Sequence, residues 1–264
     1  MKFRVSSIVV ICISLIIGLM FAGQSFAKID PKTVTGLWLF DDGSGTVAKD
    51  SSGNGLNGKF TGAPQWVAGK FGKALLFDGK SYVTIPDHKN PTTAITLSVW
   101  VKSTTATWNT HGWILEKRDA YIIHPVGDTV NVAFCTVNGG LWNLPKTWDA
   151  GQIGPKVITD WHLYTCTFDS ATGKWNIYID GVVASTLDIN KAALAADTGP
   201  VHIGWDEAGA DRLGKGTVDE VAIFSVALSA DDVKSLMNGL GSVLTAVESA
   251  GKASITWADI KTQR

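Results

Sequence analysis

The chain has 264 residues, a formal net charge of −1 at pH 7 and 45% hydrophobic residues. A balance so near neutrality gives no electrostatic case for binding nucleic acid or an anionic membrane surface. Eleven tryptophans and 28 glycines are the compositional excess; glycine suits tight turns, and tryptophan suits either a β core or a face that stacks on a sugar ring.

In chain order, residues 1–27 have the form of an export signal. Lys2 and Arg4 precede an apolar run from Ile8 to Phe21, and Ser25, Phe26 and Ala27 follow at the positions a signal peptidase reads. The run is short for a membrane span, and Cys12 lies inside it, so no lipobox-like ending is present. An uncleaved N-terminal anchor is the alternative. Cleavage leaves a mature chain starting near Lys28, destined for a periplasm, the cell surface or the medium, and no later segment is apolar and long enough to span a bilayer.

The mature part reads as strands and turns. Gly36–Phe40 is a short apolar strand that runs into Asp41–Gly45 and Lys49–Gly55, both dense in residues that favour turns and positive φ. Ala74–Phe77, the turn at Asp78 and Gly79, and Ser81–Ile85 read as strand, turn, strand, closed by Pro86. Ile95–Val101 alternates apolar positions; Trp113–Leu115, Tyr121–His124 and Val130–Phe134 follow. Trp161–Phe168 and Lys174–Ile179 make a hairpin around Asp169–Gly173, and Asp180 and Gly181 turn the chain into Val182–Leu187. Val201–Gly204 and Gly216–Phe224 complete the series.

Many short strands without helices between them predict an all-β fold, an antiparallel two-sheet sandwich or a barrel, as one domain over residues 28–241. A single short helix is signalled near the end: Ser229 as N-cap, Asp232 in capping-box position, Val233, Leu236 and Met237 on one face, and Gly239 as terminator. The tail 242–264 is separate in character, with Ala250–Trp257 as either a further strand or an interaction segment. Stretches 103–112 and 138–160 are the longest without strand pattern, and long loops on a rigid sandwich are often functional. Cys135 and Cys166 either close one bridge in an oxidising compartment or remain as buried thiols.

These segments, in this order, resemble the laminin-G-like, concanavalin A-like jelly-roll family, including the pentraxin-related modules of exported bacterial proteins. The matching residues are Gly36–Gly45 with Asp50–Gly55, Phe71–Gly79 with Tyr82–Pro86, Leu97–Val101, Trp161 with His162, Asn176–Gly181, and Gly216–Phe224 with Ala227–Ser229. The resemblance implies a jelly roll from about Thr35 to Leu240. It further implies a structural Ca²⁺ near the first and closing strands, with ligands from Asp41 or Asp42, the Gly79 carbonyl and Asp219. These are the hard oxygen donors that Ca²⁺ takes; the same aspartates also suit turns that satisfy loop amides.

Some enzymes share this fold, so catalytic chemistry needs its own residues. A double-carboxylate glycosidase needs two acids about 5–10 Å apart. The glutamates are Glu116, Glu207, Glu220 and Glu248, none two residues from another acid within a strand, and the adjacent Asp219 and Glu220 are expected on opposite faces. Asp206, Glu207 and Asp211 form the one dense acidic loop, and His88, His111, His124, His162 and His202 are scattered. No nucleophile elbow, His-rich metal motif or phosphate loop is present.

Trp38, Trp100 and Trp161 fall on strand motifs and are expected in the core. Trp108, Trp113, Trp142, Trp148 and Trp205 lie in or beside loops, where a flat face can stack on sugar and a neighbouring Asn can bond hydroxyls. Trp108 with Asn109 and Trp142 with Asn143 are the first candidates, then Trp148 and Trp205. The expectation is a secreted, non-catalytic binding or adhesion module with glycan as ligand. The alternatives are a protein-binding or structural envelope or matrix module, and a polysaccharide-degrading enzyme.

Overall fold

Residues 29–243 are described by a computed structural model of the chain; the expected export signal and the tail segment Ala250–Trp257 lie outside the described residues. Two eight-stranded sheets form the molecule. The first runs β14 (Val182–Asp188), β13 (Lys174–Ile179), β12 (His162–Asp169), β7 (Ala94–Ser103), β16 (Lys215–Phe224), β5 (Lys73–Asp78) and β4 (Gln65–Ala68), and β1 (Val34–Trp38) also pairs with β16. The second runs β11 (Leu141–Trp142), β10 (Val132–Asn138), β9 (Tyr121–Pro125), β8 (Leu115–Lys117), β15 (Val201–Ile203), β6 (Tyr82–Ile85), β3 (Gly58–Thr61) and β2 (Val47–Ala48). All the pairings are antiparallel, as the jelly-roll expectation requires.

Alternation builds the core. Ile95, Leu97, Val99 and Val101 of β7 point inward beside Leu75, Phe77, Val218 and Ile223, and meet Val83, Ile85, Ile123, Phe134 and Ile203 from the facing sheet. The intervening Trp100 points the other way and joins Leu163, Ala222 and Phe224 in a second cluster on the outer face of the first sheet. There α1 (Ala230–Ser235) lies on it, with Val233 and Leu236 buried in the same cluster. The capping box is present as expected: the Ser229 hydroxyl accepts from the Asp232 amide, and the Asp232 carboxylate accepts from the Ser229 amide. One outer face is therefore partly roofed by apolar packing. The outer face of the second sheet carries the polar groups of the candidate site.

Two expectations change, and one open alternative closes. A bulge in β16 between Asp219 and Val221 puts Glu220 at φ +38°. Asp219 and Glu220 therefore share the outer side, accepting from the Phe71 and Leu240 amides, instead of facing opposite ways. The strand expected at Trp113–Leu115 is Leu115–Lys117, because a buried Glu and a buried Lys interrupt the apolar pattern. Cys135 and Cys166 are both free and buried. Cys166 belongs to the core side of β12 whereas Cys135 points outward from β10, on the far side of a facing sheet. Stacked sheets lie about 10 Å apart, beyond the Cα spacing a disulfide spans.

Candidate functional site

Register lines up a row of outward side chains across the second sheet. Cys135 of β10 is opposite Ile122 of β9, Ile122 opposite Glu116 of β8, Glu116 opposite His202 of β15, and His202 opposite Thr84 of β6. Directly opposite residues share a face. Ala133 and His124 form a second pair one step along. Loops at either end fold over this face and divide it into an aromatic cleft and an acidic patch.

The cleft has a volume of about 340 Å³ and is lined by Ile122, His124 and Cys135 from the strands and by His111, Arg118, Trp142, Trp148 and Arg212 from their flanks. Trp148 is 39% exposed, with its ring 4.9 Å from His124 and 6.5 Å from His111. Its backbone is anchored from below: the Trp148 carbonyl accepts from Asn143 Nδ2 (3.2 Å) and Cys135 Sγ (3.3 Å). Asn143 is fully buried and also accepts from the Thr136 amide (2.9 Å) while donating to the Phe134 carbonyl (2.8 Å). At the opposite wall Arg118 lies over Trp142, 5.7 Å from the ring centroid. Burial holds the His124 imidazole down at a pKa of about 4, and its Nδ1 has no hydrogen-bond partner.

Asp206 ties the loop carrying Arg212 to this wall. Its buried carboxylate accepts from Arg118 Nη1 (3.1 Å) at one oxygen and Arg212 Nη1 (2.6 Å) at the other. Burial by itself raises this carboxyl, but the bonds to Arg212 and the Ala208 amide and the charge of Arg118 outweigh it and hold it below the ordinary value. Gly112 makes room: at φ +74°, a Cβ there would lie 2.1 Å from Asp206 Oδ2.

The acidic patch adjoins. Glu116 Oε1 is 3.0 Å from His202 Nδ1 and accepts from the Glu207 amide at 3.0 Å, while Glu207 Oε2 stands 3.8 Å from His202 Nδ1. Ligand-type atoms of Glu116, His202 and Glu207 lie within 4.8 Å of one another, the one such trio among the described residues. Burial, reinforced by Asp206, raises the Glu116 carboxyl despite those two bonds. Trp205 packs against His202 and Tyr82 at 4.8 and 4.7 Å.

The expected residues thus separate. Trp142, Trp148 and Trp205 lie on this face. Trp108 does not: it is fully buried, edge-on to Trp113 (5.8 Å) and Tyr164 (6.3 Å), because the bonds from its amide to Thr129 O and from Asp128 N to its carbonyl fold the loop inward. Trp113 is equally buried. Asn109 is a brace, with Nδ2 on the Leu213 carbonyl and Oδ1 on the Lys215 amide, and Asn143 is the brace under Trp148. Trp38 and Trp100 are buried and Trp161 partly so, in the core clusters.

The Ca²⁺ set does not assemble as expected. Gly79 bonds to Gly214, five residues along from Asp219, which places the two about 16 Å apart at the rise of a strand. Asp42 pairs with Lys49. Asp41 and Asp219 flank one turn, accepting from the Lys73 and Phe71 amides respectively. Asp219 Oδ1 is buried without a partner, and burial pushes its carboxyl up to about 7.

A profile of the concanavalin A-like lectin/glucanases superfamily matches residues 77–234, more than half of the chain. The chain belongs to that superfamily. The matched span runs from β5 into α1 and contains every residue of the cleft and the acidic patch. No curated protein sequence matches the chain. Among solved structures it is similar to domain 4 of AbnA, a GH43 extracellular arabinanase from Geobacillus stearothermophilus, in complex with arabinotriose. That domain has 24% identity and a TM-score of 0.60, over 78% of this chain and 98% of that one. It is also similar to the binding domain of Paraclostridial Mosquitocidal Protein 1, with 16% identity and a TM-score of 0.62, over 79% and 52%. The binding domain of botulinum neurotoxin DC in complex with SialylT has 15% identity and a TM-score of 0.59, over 80% and 52%. At these identities the likeness is one of fold.

Sequence reasoning did not single out Arg118, Arg212, His111 or His124 for this superfamily member's cleft. The sequence signal for His124 was its place two residues after Ile122 in a strand, which puts both on one face. The arginines come from a turn and a loop, and no spacing rule brings them together. Among the described residues no helix is long and apolar enough to cross a membrane.

Proposed function

We propose that this chain is an exported, non-catalytic binding module and that the cleft on the outer face of the second sheet takes a glycan. The observation that carries the reading is Trp148, an indole 39% exposed and held by its backbone on a buried asparagine. An anchored indole beside hydrogen-bonding groups suits stacking on a sugar ring at little entropic cost. The same architecture occurs in an arabinanase domain solved with arabinotriose and a toxin domain solved with SialylT, which supports the ligand class. The test is a glycan array followed by calorimetry. Trp148→Ala and Trp142→Ala are expected to weaken binding by about tenfold or more without lowering the melting temperature. Binding that survives both substitutions would overturn the placement.

A blank array favours the protein-binding alternative; a botulinum neurotoxin DC binding domain of this fold was solved with rat synaptotagmin II. The enzymatic alternative is disfavoured by burial, since Glu116 is enclosed and offers no open face to a substrate. Release of reducing ends or unsaturated products from a polysaccharide panel, lost in Glu207→Gln, would reverse that preference.

Export is tested by N-terminal sequencing of protein recovered outside the cytoplasm, with a start near Lys28 expected. The calcium component narrows to Asp41 and Asp219, supported by the unpartnered Asp219 oxygen. A rise in melting temperature with Ca²⁺ over EDTA, absent in Asp219→Asn, is the outcome that would sustain it.

A further inference from the structure

We infer that the ligand of the cleft carries an anionic group, a carboxylate or a sulfate ester on a sugar ring, and that Arg118 and Arg212 hold it. The inference rests on the glycan-binding reading above and narrows it to a substrate class. It starts from a charge imbalance. Two guanidiniums share one carboxylate, that of Asp206, each using a single Nη1 bond at 3.1 or 2.6 Å. A guanidinium has five N–H donors, and among the described residues neither arginine side chain has another hydrogen-bond acceptor. Asp206 is fully buried, while the arginine side chains are 31% and 33% exposed, so the acid lies behind the wall and the cations in front of it.

No acidic side chain lines the cleft: its polar lining is Arg118, Arg212, His111 and His124. Asp149 follows Trp148 in the chain but is outside that lining. This excess of cations is confined to the lining: the acidic patch of Glu116 and Glu207 adjoins it and the charge of Asp149 reaches Cys135, in a chain whose net charge is −1. Position is fixed as well as charge. Arg118 is held between Asp206 and the Trp142 ring, and Arg212 is held by Asp206 and by backbone bonds between Arg212 and both Asp206 and Gly209 that close its loop. A guanidinium with N–H donors left over can pair with the two oxygens of a carboxylate or sulfate. His124 Nδ1 adds a buried, unpartnered nitrogen to the same cleft. Asp206 is then a positioning residue that aims both arginines while its burial keeps it from repelling the ligand.

The experiment compares matched oligosaccharides by calorimetry at low and high salt: neutral xylo- and arabino-oligosaccharides, oligogalacturonates and oligoguluronates, and sulfated oligomers with their desulfated counterparts. At least one acidic class is expected to bind about tenfold or more tighter than its neutral match, with affinity falling as salt rises. The uronate and sulfate arms tell which anion it is. Arg212→Gln is expected to abolish the preference for the acidic oligomer and, by leaving the buried Asp206 carboxylate one guanidinium in place of two, to lower the melting temperature. Arg212→Lys keeps the charge, and its partial loss separates geometry from charge; Arg118→Gln repeats the test should the loop variant fold poorly. Neutral oligomers binding as tightly as acidic ones would overturn the inference and leave the glycan-binding reading standing. Binding of neither class would remove both.

Discussion

Burial holds the His124 imidazole at a pKa of about 4, against about 6.5 for the side chain in an unfolded chain. Between those values the unfolded state binds more protons than the folded one, so stability rises with pH across the window and is lost on acidification. The full contribution is of the order of 3 kcal/mol. The raised Asp219 carboxyl slopes the other way over the same range, so the His124 part is the difference in the pH dependence of urea unfolding between the parent chain and His124→Gln from pH 4 to 7, and equal slopes in the two would remove it. The neighbouring residues mark how far single positions can be read from sequence. Trp108 and Trp148 both lie among polar residues outside any strand pattern, yet one is fully buried and the other 39% exposed. Depth depends on where a loop's backbone bonds lead it, and those partners, Thr129 for one and Asn143 with Cys135 for the other, are set by the fold. The loop placement of Trp148 was legible; the two-residue strand that carries Trp142 and the burial of Trp108 were not.

At the scale of elements, the helix was readable almost to the residue, because every signal for it is local. Ser229 and Asp232 satisfy each other's amides, and Gly239, at φ +99°, ends the following single turn. Ser229→Ala is expected to cost about 1 kcal/mol, measured by chemical denaturation, with glycan binding unchanged because α1 packs on the other sheet's outer face. Strands with clear alternation were equally legible. Lys174–Ile179 coincides with β13, and Tyr121–His124 falls one residue short of β9. β2, β3 and β4 were not, since residues 41–68 offer turn formers and short strands with little apolar alternation. Gly58 illustrates the difficulty: it reads as a turn residue, yet it is in β3 because a Cβ there would lie 2.5 Å from Val83 and 2.7 Å from Ile85.

For the molecule as a whole, the sandwich was legible from the number and order of strands, while the pairings that build the cleft were not. The row from Cys135 to Thr84 draws on five strands between residues 82 and 203. The same separation of faces settles the cysteines. Burial pushes both thiols well above the ordinary range, and a thiol that does not ionise reacts slowly. The chain from Lys28 onward is expected to run identically on reducing and non-reducing gels and to take up two thiol labels only after denaturation. A mobility shift, or fewer than two labels, would indicate a bridge.

The position of β16 has a temporal consequence. The last strand of the domain is the inner partner of β7 and β5 and also pairs with β1, the first, Val34 opposite Phe224. The first sheet cannot close until residue 224 is available, so folding waits on contacts nearly the whole domain apart, the arrangement that makes β-sandwiches slow. A chain emerging from a ribosome therefore cannot complete this sheet until β16 is made. That delay is what passage through a translocation channel requires of the exported protein proposed above.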